Sequence, residues 1–356
     1  MARWLRPGLG LLVFFACWSF PGAASHSADR LDLFRELVAA RLAPAQQDGT
    51  APNPEVLRGL EELLDEEILE NLNSGAPFAS EAFIQERLEG FSGEWGWGSF
   101  EAMRLTVAPS VFVASVRPLE RGEGSSVRFY LPRGGRYTVG HVVQRDASPL
   151  IREMPPAGGN SAQLLLVWLG ARSGQETVPA SLELVRLSGE TGRTVWSSRE
   201  LFPDGLDVFD LSIGAEEVTV RYPGPYAGRK PGCKGQTERI DTFRYDRVKE
   251  TMVLGTRRQT NGWHQELYEG TVHPLLDALK RGSASRLATL VPSAELRRRL
   301  PAGLELLSVC DESEPPSSPT EVHISVEPSS GQPSPLTLLF KKSQRGWVLW
   351  DVKREE

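Results

Sequence analysis

The sequence predicts a multi-domain α+β protein. Its expected parts are a signal peptide (residues 1–25), a helical segment (29–92), an antiparallel β domain (100–262) and a small α+β domain (264–356). Three observations predict this class: apolar residues recur at helical spacing in the second part, alternate with polar residues in the third, and return to helical spacing before further strands in the fourth. Such segregation of helices and strands along the chain is typical of α+β folds.

Length and charge narrow the class of protein. A chain of 356 residues with 40% hydrophobic content is longer than the ~250–300 residues that usually share one hydrophobic core, so two or three domains are expected. The formal net charge is −6, and it becomes −8 without the leader, which carries two arginines and no acid. Because the chain has no basic stripe or block, nucleic acid is not an expected partner.

The first residues have the three parts of a secretory signal peptide. Arg3 and Arg6 supply a positive start, residues 9–20 are uncharged and strongly apolar, and Pro21-Gly22 is followed by small residues. The apolar stretch is shorter than the ~20 residues of a membrane-spanning helix. We therefore expect an extracytoplasmic protein, located in the periplasm, in the cell envelope or in the medium, with no transmembrane span.

Lipidation is an alternative to simple cleavage of the leader. The sequence Phe14-Phe15-Ala16-Cys17 departs from a bacterial lipobox at its first positions, but it would place an acylated Cys17 at the start of the mature chain. The protein would then be held at a membrane by an N-terminal lipid anchor. Both processing routes lead out of the cytoplasm.

The helical segment contains three predicted helices. The first carries an apolar stripe over residues 31–42, the second begins at Asn53-Pro54, and the third runs over 80–88 and stops at Gly90. One side of the second helix is acidic, and its acids are Glu61, Glu62, Asp65, Glu66 and Glu70. A cation site is one interpretation of this row. We expect a solvated face, since the ligands of a metal converge rather than form a row.

Short segments rich in β-branched residues make up the β domain. The predicted strands are RLTVAPSVFVASV, SVRFYL, RYTVGHVV, QLLLVWLG, SLELVRL, RTVWSS, EVTVRY, RIDTFRY and TMVLGT. The stretch LELVRLSGETGRTVW is the clearest hairpin, with its turn at 188–192, and it resembles one strand–turn–strand unit of quinoprotein-type propellers. Because the sequence contains one copy of this unit, a sandwich, a barrel and a partial propeller all remain open.

The C-terminal part contains two predicted helices, one on either side of Gly282, followed by the strands LELLSV, EVHISVE, PLTLLFKK and GWVLWDVK. The stretch LLDALKRGSASRLATLV and the final RGWVLWDVK resemble the NTF2-like (SnoaL-like) family. The resemblance implies a curved sheet packed on helices around an apolar pocket, with acids and histidines inside it in enzymatic members. Asp277 on a helix and His323 alone on a strand do not match such a pair, so the family's chemistry does not carry over.

The chain lacks the common catalytic and metal-binding motifs, including HExxH, CxxC and GxSxG. His264 and His273, with Glu266 and Glu269, are the densest group of metal-ligating residue types, but their position favours the start of a helix. We therefore predict no catalytic residue, no metal and no cofactor. An enzyme built from carboxylates dispersed along the chain stays open, since sequence does not give their separation in space.

Cys233 and Cys310 are the two cysteines that follow the leader. An even number of cysteines in an exported protein favours a disulfide, which would join a Pro/Gly-rich loop of the β domain to a strand of the C-terminal domain. Two free thiols are the alternative, because sequence does not show how closely the two Cβ atoms approach.

Aromatic residues on glycine-rich loops are the candidate binding residues. Trp95 and Trp97 lie in GFSGEWGWGSF, between the helical and β parts, and Tyr222 and Tyr226 lie in RYPGPYAGRKPG. Exposed rings at these positions would stack on a glycan or anchor a protein partner. Buried rings would instead fill the junction between domains.

Taken together, these features favour an exported, non-enzymatic binding or interaction protein of the cell envelope, with a protein or a glycan as its partner. Two alternatives remain: an envelope hydrolase that uses dispersed carboxylates, and small-ligand binding in the C-terminal domain. A cleft that holds two acids, or an acid and a histidine, with raised pKa values would favour the hydrolase.

Overall fold

The computed structural model describes residues 30–39, 54–95, 98–117, 124–158, 161–172, 177–313, 319–329 and 334–354. Across these ranges the protein is a mixed α+β structure with a β-rich centre, and its strands form four antiparallel sheets. Within the same ranges, no helix combines the length and the apolar character needed to cross a membrane. The leader, with Cys17, lies outside the described residues.

In the described part of the chain, three helices precede the strands: α1 (30–39), α2 (Pro54–Ser74) and α3 (Glu81–Trp95). The predicted start of the second helix at Pro54 is confirmed. The predicted end of the third helix at Gly90 is wrong, because Phe91 is buried and packs edge-to-face on Phe34 of α1, with 5.0 Å between ring centroids. This packing outweighs the ~1 kcal/mol by which glycine disfavours the interior of a helix.

Three antiparallel meanders follow the helices. Sheet 1 comprises β1 (Ser99–Arg104), β2 (Phe112–Arg117), β3 (Ser125–Arg133) and β4 (Arg136–Arg145). Sheet 2 comprises β5 (Ser148–Ala157), β6 (Ser161–Leu169), β7 (Val178–Ser188), β8 (Thr191–Ser197) and β9 (Leu206–Val208), which pairs with β7. Sheet 3 comprises β10 (Asp210–Ile213), β11 (Glu217–Pro223), β12 (Glu238–Asp246) and β13 (Thr251–Thr260).

Prolines account for two differences from the predicted strands. The segment RLTVAPSVFVASV is not one strand: it contains the end of β1 and most of β2, joined by a turn in which Val111 N donates to Ala108 O at 2.8 Å. Pro109 lies in that turn and has no N–H to donate to a strand partner. The strand β5, SPLIREMPPA, is missing from the sequence prediction because of its prolines, which are tolerated here since β5 is the edge strand of sheet 2.

The layers stack in the order helices, sheet 1, sheet 2, sheet 3. The helices pack on sheet 1 around Phe112, and the opposite face of sheet 1 packs on sheet 2 through Phe129 and Trp168. Sheet 2 packs on sheet 3 through Trp196 and Phe243, whose ring centroids are 5.6 Å apart. Each of these sheets except sheet 3 therefore has both faces covered by another layer of the described chain.

The acidic side of α2 is not fully solvated, because part of it lies on sheet 1. Asp65 accepts hydrogen bonds from Arg128 Nε and from the Tyr130 hydroxyl, both at 2.7 Å, and Ser126 Oγ donates to Glu61 at 2.8 Å. The side chains of Glu61 and Asp65 are only 12% and 13% exposed. The expectation of a solvated face is wrong for these two acids, since a buried arginine of the sheet requires carboxylate partners.

The chain passes from sheet 2 to sheet 3 through a segment that borders the candidate site. After β8 it forms a short 3₁₀ helix (Ser198–Glu200), then a turn, then β9 on sheet 2 and β10 on sheet 3. Residues 201–207 of this segment therefore lie at the end of the sheets at which β11 turns into β12. We call residues 201–207 the crossing segment.

The C-terminal part packs helices on a fourth sheet. α4 (Gly262–Leu267), a π-helical turn (Tyr268–Val272) and α5 (His273–Arg281) run on without a break, and α6 (Ala284–Leu290) and α7 (Ala294–Arg299) follow. Sheet 4 comprises β14 (Leu304–Leu306), β15 (Glu312–Ser313), β16 (Glu321–Pro328), β17 (Leu336–Ser343) and β18 (Gly346–Arg354). The predicted helix end at Gly282 is confirmed by its left-handed φ of 66°. Trp263, Phe340 and Trp347 are among the side chains that fill the space between helices and sheet.

Candidate functional site

The connection between β11 and β12, residues 224–237, forms the centre of the candidate site. Its sequence, GPYAGRKPGCKGQT, is too rich in proline and glycine for a helix or a strand. Gly228 has a φ of +88°, and a Cβ atom at this position would lie 1.9 Å from Cδ1 of Tyr268 in the C-terminal helix. Glycine is therefore required here both by the backbone conformation and by the close contact.

This connection is fixed by internal bonds and by a disulfide, and we call it the stapled loop. The amide side chain of Gln236 accepts from Lys230 N at 2.7 Å and donates to Cys233 O at 2.7 Å. Cys233 is bonded to Cys310, so the loop is joined covalently to the C-terminal part of the chain. The disulfide that the sequence left open is thus present in the structure.

A buried polar network holds the same loop from beneath, and we call its five members the Asp311 network. Lys230 Nζ donates to Asp311 Oδ1 at 2.7 Å, and the Tyr268 hydroxyl donates to Asp311 Oδ2 at 2.7 Å. His264 Nε2 lies 3.1 Å from Asp311 Oδ2, and His264 Nδ1 lies 2.8 Å from the hydroxyl oxygen of Tyr226. The imidazole also stacks on the Tyr268 ring at 4.7 Å between centroids.

Burial and hydrogen bonding shift the pKa values of three members of the Asp311 network. Burial alone would raise the pKa of Asp311, but hydrogen bonds from His264 and Lys230 outweigh burial and hold this pKa below its ordinary value. Burial raises the pKa of Tyr226 to about 12, and burial also raises the pKa of Tyr268. Asp311 is therefore a carboxylate and both tyrosines carry neutral hydroxyls, and the hydroxyl of Tyr268 donates to Asp311.

A cleft of about 480 Å³ lies between the stapled loop and the crossing segment. The stapled loop contributes Tyr226 and Arg229 to its wall, and the crossing segment contributes Phe202 and two aspartates. Arg239 of β12 and Arg257 of β13 close it on the side of sheet 3. A volume of this size is typical of pockets for small ligands.

Arg257 is held in place by a buried carboxylate. Its Nε and Nη2 donate to the two carboxylate oxygens of Asp241 at 2.9 and 2.7 Å, and Asp241 is fully buried. The Tyr222 hydroxyl donates to the same carboxylate at 3.0 Å. The positive charge of Arg257 is thus already neutralised by the protein.

Of the two alternatives for Tyr222, an exposed ring and a buried ring, the structure shows the buried one. Tyr222 is the sixth residue of β11 and is 5% exposed, because its ring faces sheet 2 and packs edge-to-face on Phe202 at 5.3 Å. Tyr226 is half-buried, and both tyrosines line the cleft. Trp95 ends α3, its side chain lies outside the described residues, and so does Trp97.

The histidines and glutamates that the sequence grouped around α4 do not form a metal site. His264 belongs to the Asp311 network, whereas His273 begins α5, more than two helical turns later. Among the described residues, no group of three or more His, Cys, Asp or Glu side chains could hold a metal ion.

Sequence reasoning missed Lys230, Asp311 and Arg239 as residues of the site. A signal for the first two was present, since Lys230 precedes Cys233 by three positions and Asp311 directly follows Cys310. A bond between the cysteines brings these opposite charges together. No comparable local signal identifies Arg239, because its place in the cleft depends on how sheet 3 packs.

Comparison of the chain with protein-family models and with curated proteins finds no match.

Proposed function

We propose that this is an exported, non-enzymatic binding protein of the cell envelope, which holds its ligand in the cleft between the stapled loop and the crossing segment. One observation carries the proposal: a cleft of ligand size has one wall that is fixed from behind by a disulfide and by the Asp311 network. A wall that is ordered before the ligand arrives reduces the entropy lost on binding.

Export is supported by two independent features. The leader has the positive, apolar and small-residue parts of a signal peptide. The bond between Cys233 and Cys310 suits an oxidising compartment, where disulfides persist. Whether Cys17 carries a lipid is a separate question that the mass of the mature N-terminal peptide answers.

The domain layout is part of the same proposal. Three successive meanders stacked face to face support a partial propeller for the β domain over 100–262, with the helices of 29–92 covering its first sheet. The helices and sheet 4 support a separate C-terminal domain with the NTF2-like arrangement over 264–356. In this layout the ligand cleft lies on the β domain, and the disulfide between Cys233 and Cys310 joins the two domains.

The Asp311 network favours binding over hydrolysis. It contains an acid–histidine pair, but Asp311 has a lowered pKa, and Tyr226 and Tyr268 cover the pair with protonated hydroxyls. A general acid would need a raised pKa, and a phenolate nucleophile would need a lowered one. The packed interior of the C-terminal part, around Trp263 and Phe340, likewise favours the cleft over an apolar pocket there.

Binding in the cleft is tested with 8-anilinonaphthalene-1-sulfonate, a fluorescent probe that combines aromatic rings with one negative charge. We expect the purified oxidised protein to bind one probe, and Arg239→Gln to weaken this binding about tenfold, because a charge-assisted hydrogen bond from a half-buried guanidinium is lost. The matched control is Arg244→Gln on the same strand, whose side chain is 61% exposed and pairs with Glu217.

Circular dichroism of each variant checks that the protein is folded, so that a change in probe affinity is not caused by unfolding. Equal affinity of the wild type and Arg239→Gln would show that the probe binds elsewhere, and the cleft would lose its support as the binding site. A probe affinity lowered equally by both variants would point to general charge attraction and would also count against the cleft.

A further inference from the structure

Charges of both signs border the cleft without being paired. Arg229 and Arg239 lie on the side of the stapled loop and sheet 3, whereas Asp204 and Asp207 lie on the crossing segment. Among the residues that the structure describes, none of these four side chains forms an ion pair within 4.0 Å. Arg257, the third arginine of the cleft, is neutralised by Asp241 and does not add to this set.

The aromatic lining of the cleft is rigid. Phe202 is held edge-to-face against the buried ring of Tyr222, and Tyr226 is held through its hydroxyl by His264. The guanidinium of Arg229 lies 5.9 Å from the centroid of the Phe209 ring, which restricts its position as well. An apolar group of a ligand would therefore meet ordered rings rather than mobile side chains.

We infer that the ligand is a small zwitterion with an apolar side chain, of the class of a free amino acid or a short peptide. This inference rests on the proposed function of the cleft. A carboxylate would be bound by Arg229 and Arg239, and an ammonium group would lie toward Asp204 and Asp207. A neutral ligand would leave all four charges without an opposite charge, and a simple anion would place like charge beside the two aspartates.

The two ends of such a ligand contribute unequally. Arg229 and Arg239 are half-buried, whereas Asp204 and Asp207 are exposed to solvent. Water and salt screen exposed charges, so the carboxylate contact is the stronger of the two. The carboxylate therefore anchors the ligand, and the ammonium group adds specificity.

Three probes that share one ring separate these contributions: L-phenylalanine, N-acetyl-L-phenylalanine and L-phenylalanine amide. Each competes with 8-anilinonaphthalene-1-sulfonate for the wild-type cleft. We expect phenylalanine to compete best, loss of its ammonium charge by acetylation to cost about threefold, and loss of its carboxylate by amidation to cost about tenfold. In the double variant Asp204→Asn/Asp207→Asn, phenylalanine and its acetyl derivative should compete equally.

The outcomes separate this inference from the proposed function. If the fluorescent probe binds in the cleft but phenylalanine does not displace it, the inference of a zwitterionic ligand is wrong, whereas the cleft is still supported as a binding site. Equal competition by phenylalanine and its acetyl derivative in the wild type would also overturn the zwitterion, in favour of a simple anion. If the affinity for the fluorescent probe is unchanged in Arg239→Gln, the cleft is not a binding site. The inferred ligand class is then wrong as well.

Discussion

At the residue scale, Asp311 illustrates how a buried carboxylate is kept charged. Its side chain is 5% exposed, yet it accepts hydrogen bonds from an ammonium group and a phenol and lies 3.1 Å from an imidazole nitrogen. These partners hold its pKa below the ordinary value although burial acts in the opposite direction. Asp311 therefore orders three side chains that would otherwise be buried without a shared acceptor.

Asp311→Asn should lower the free energy of unfolding at pH 7 by about 3 kcal/mol, because it leaves the Lys230 ammonium buried without a counter-charge. Urea unfolding followed by circular dichroism measures the change. The control is Asp277→Asn, which removes an exposed pair with Arg281 and should change stability by less than about 0.5 kcal/mol.

The difference in the free energy of unfolding between the wild type and Asp311→Asn should depend on pH in a defined direction. Because the pKa of Asp311 is lowered in the folded state, its carboxylate stabilises the fold above the ordinary value of 3.8, and this contribution is lost as the pH falls through the lowered folded value. The gap in stability between the wild type and Asp311→Asn should therefore be constant from pH 7 to about pH 5 and shrink in more acidic solution. A gap that stays unchanged into strong acid would contradict the assigned pKa direction.

At the element scale, α2 is joined to sheet 1 by charge as well as by apolar packing. Its apolar side contributes Leu60, Leu64 and Ile68 to the core shared with the sheet. The neighbouring side contributes Asp65, which bonds to Arg128 and Tyr130 of β3. The helix is thus fixed in register along the sheet by directional bonds, whereas apolar packing alone would tolerate small displacements.

Asp65→Asn should lower the free energy of unfolding by about 2–3 kcal/mol, since the guanidinium of Arg128 is 9% exposed and would lose its closest carboxylate. Chemical denaturation measures the change. Glu66→Gln is the matched control one position along the same helix, because its side chain is 63% exposed and its nearest cation is 3.8 Å away. Equal effects of the two substitutions would mean that the acidic side of α2 is solvated along its whole width.

At the scale of the whole molecule, the stapled loop connects the stack of three sheets with the C-terminal helices and sheet 4. The disulfide spans 77 residues, and Lys230 crosses the same boundary to reach Asp311 and the carbonyl oxygen of Val309. The cleft lies directly on the other side of this loop. The order of the binding wall therefore depends on contacts made by a distant part of the chain.

Replacing both cysteines, Cys233→Ser with Cys310→Ser, should lower the free energy of unfolding by about 2–4 kcal/mol. Without the disulfide the unfolded chain gains conformational entropy, because a long loop is no longer closed by a covalent bond. The same variant should bind 8-anilinonaphthalene-1-sulfonate more weakly, since the wall of the cleft loses one of its two supports. Urea unfolding and fluorescence titration measure the two effects. Reduced wild-type protein should behave as the variant does, and a variant with unchanged stability would show that the Asp311 network holds the loop without the disulfide.

By itself, the sequence determined the α+β class, the start of α2 at Pro54 and the helix end at Gly282. These features depend on residues close together in the chain, where periodicity and the conformational limits of proline and glycine act directly. The same local rules misplaced the end of α3 and omitted β5, because packing of Phe91 and an edge position in sheet 2 override local preference.

Only the tertiary structure decided which side chains form the site. Tyr222 and Tyr226 lie four residues apart in one glycine-rich stretch and both line the cleft, yet the first is buried and bonds to Asp241 whereas the second is half-buried and bonds to His264. Lys230 and Asp311 meet across 81 positions, and Arg239 enters the cleft from a strand that no motif distinguishes. Burial and charge pairing are set by what the fold places opposite each residue, and that information is not local in the sequence.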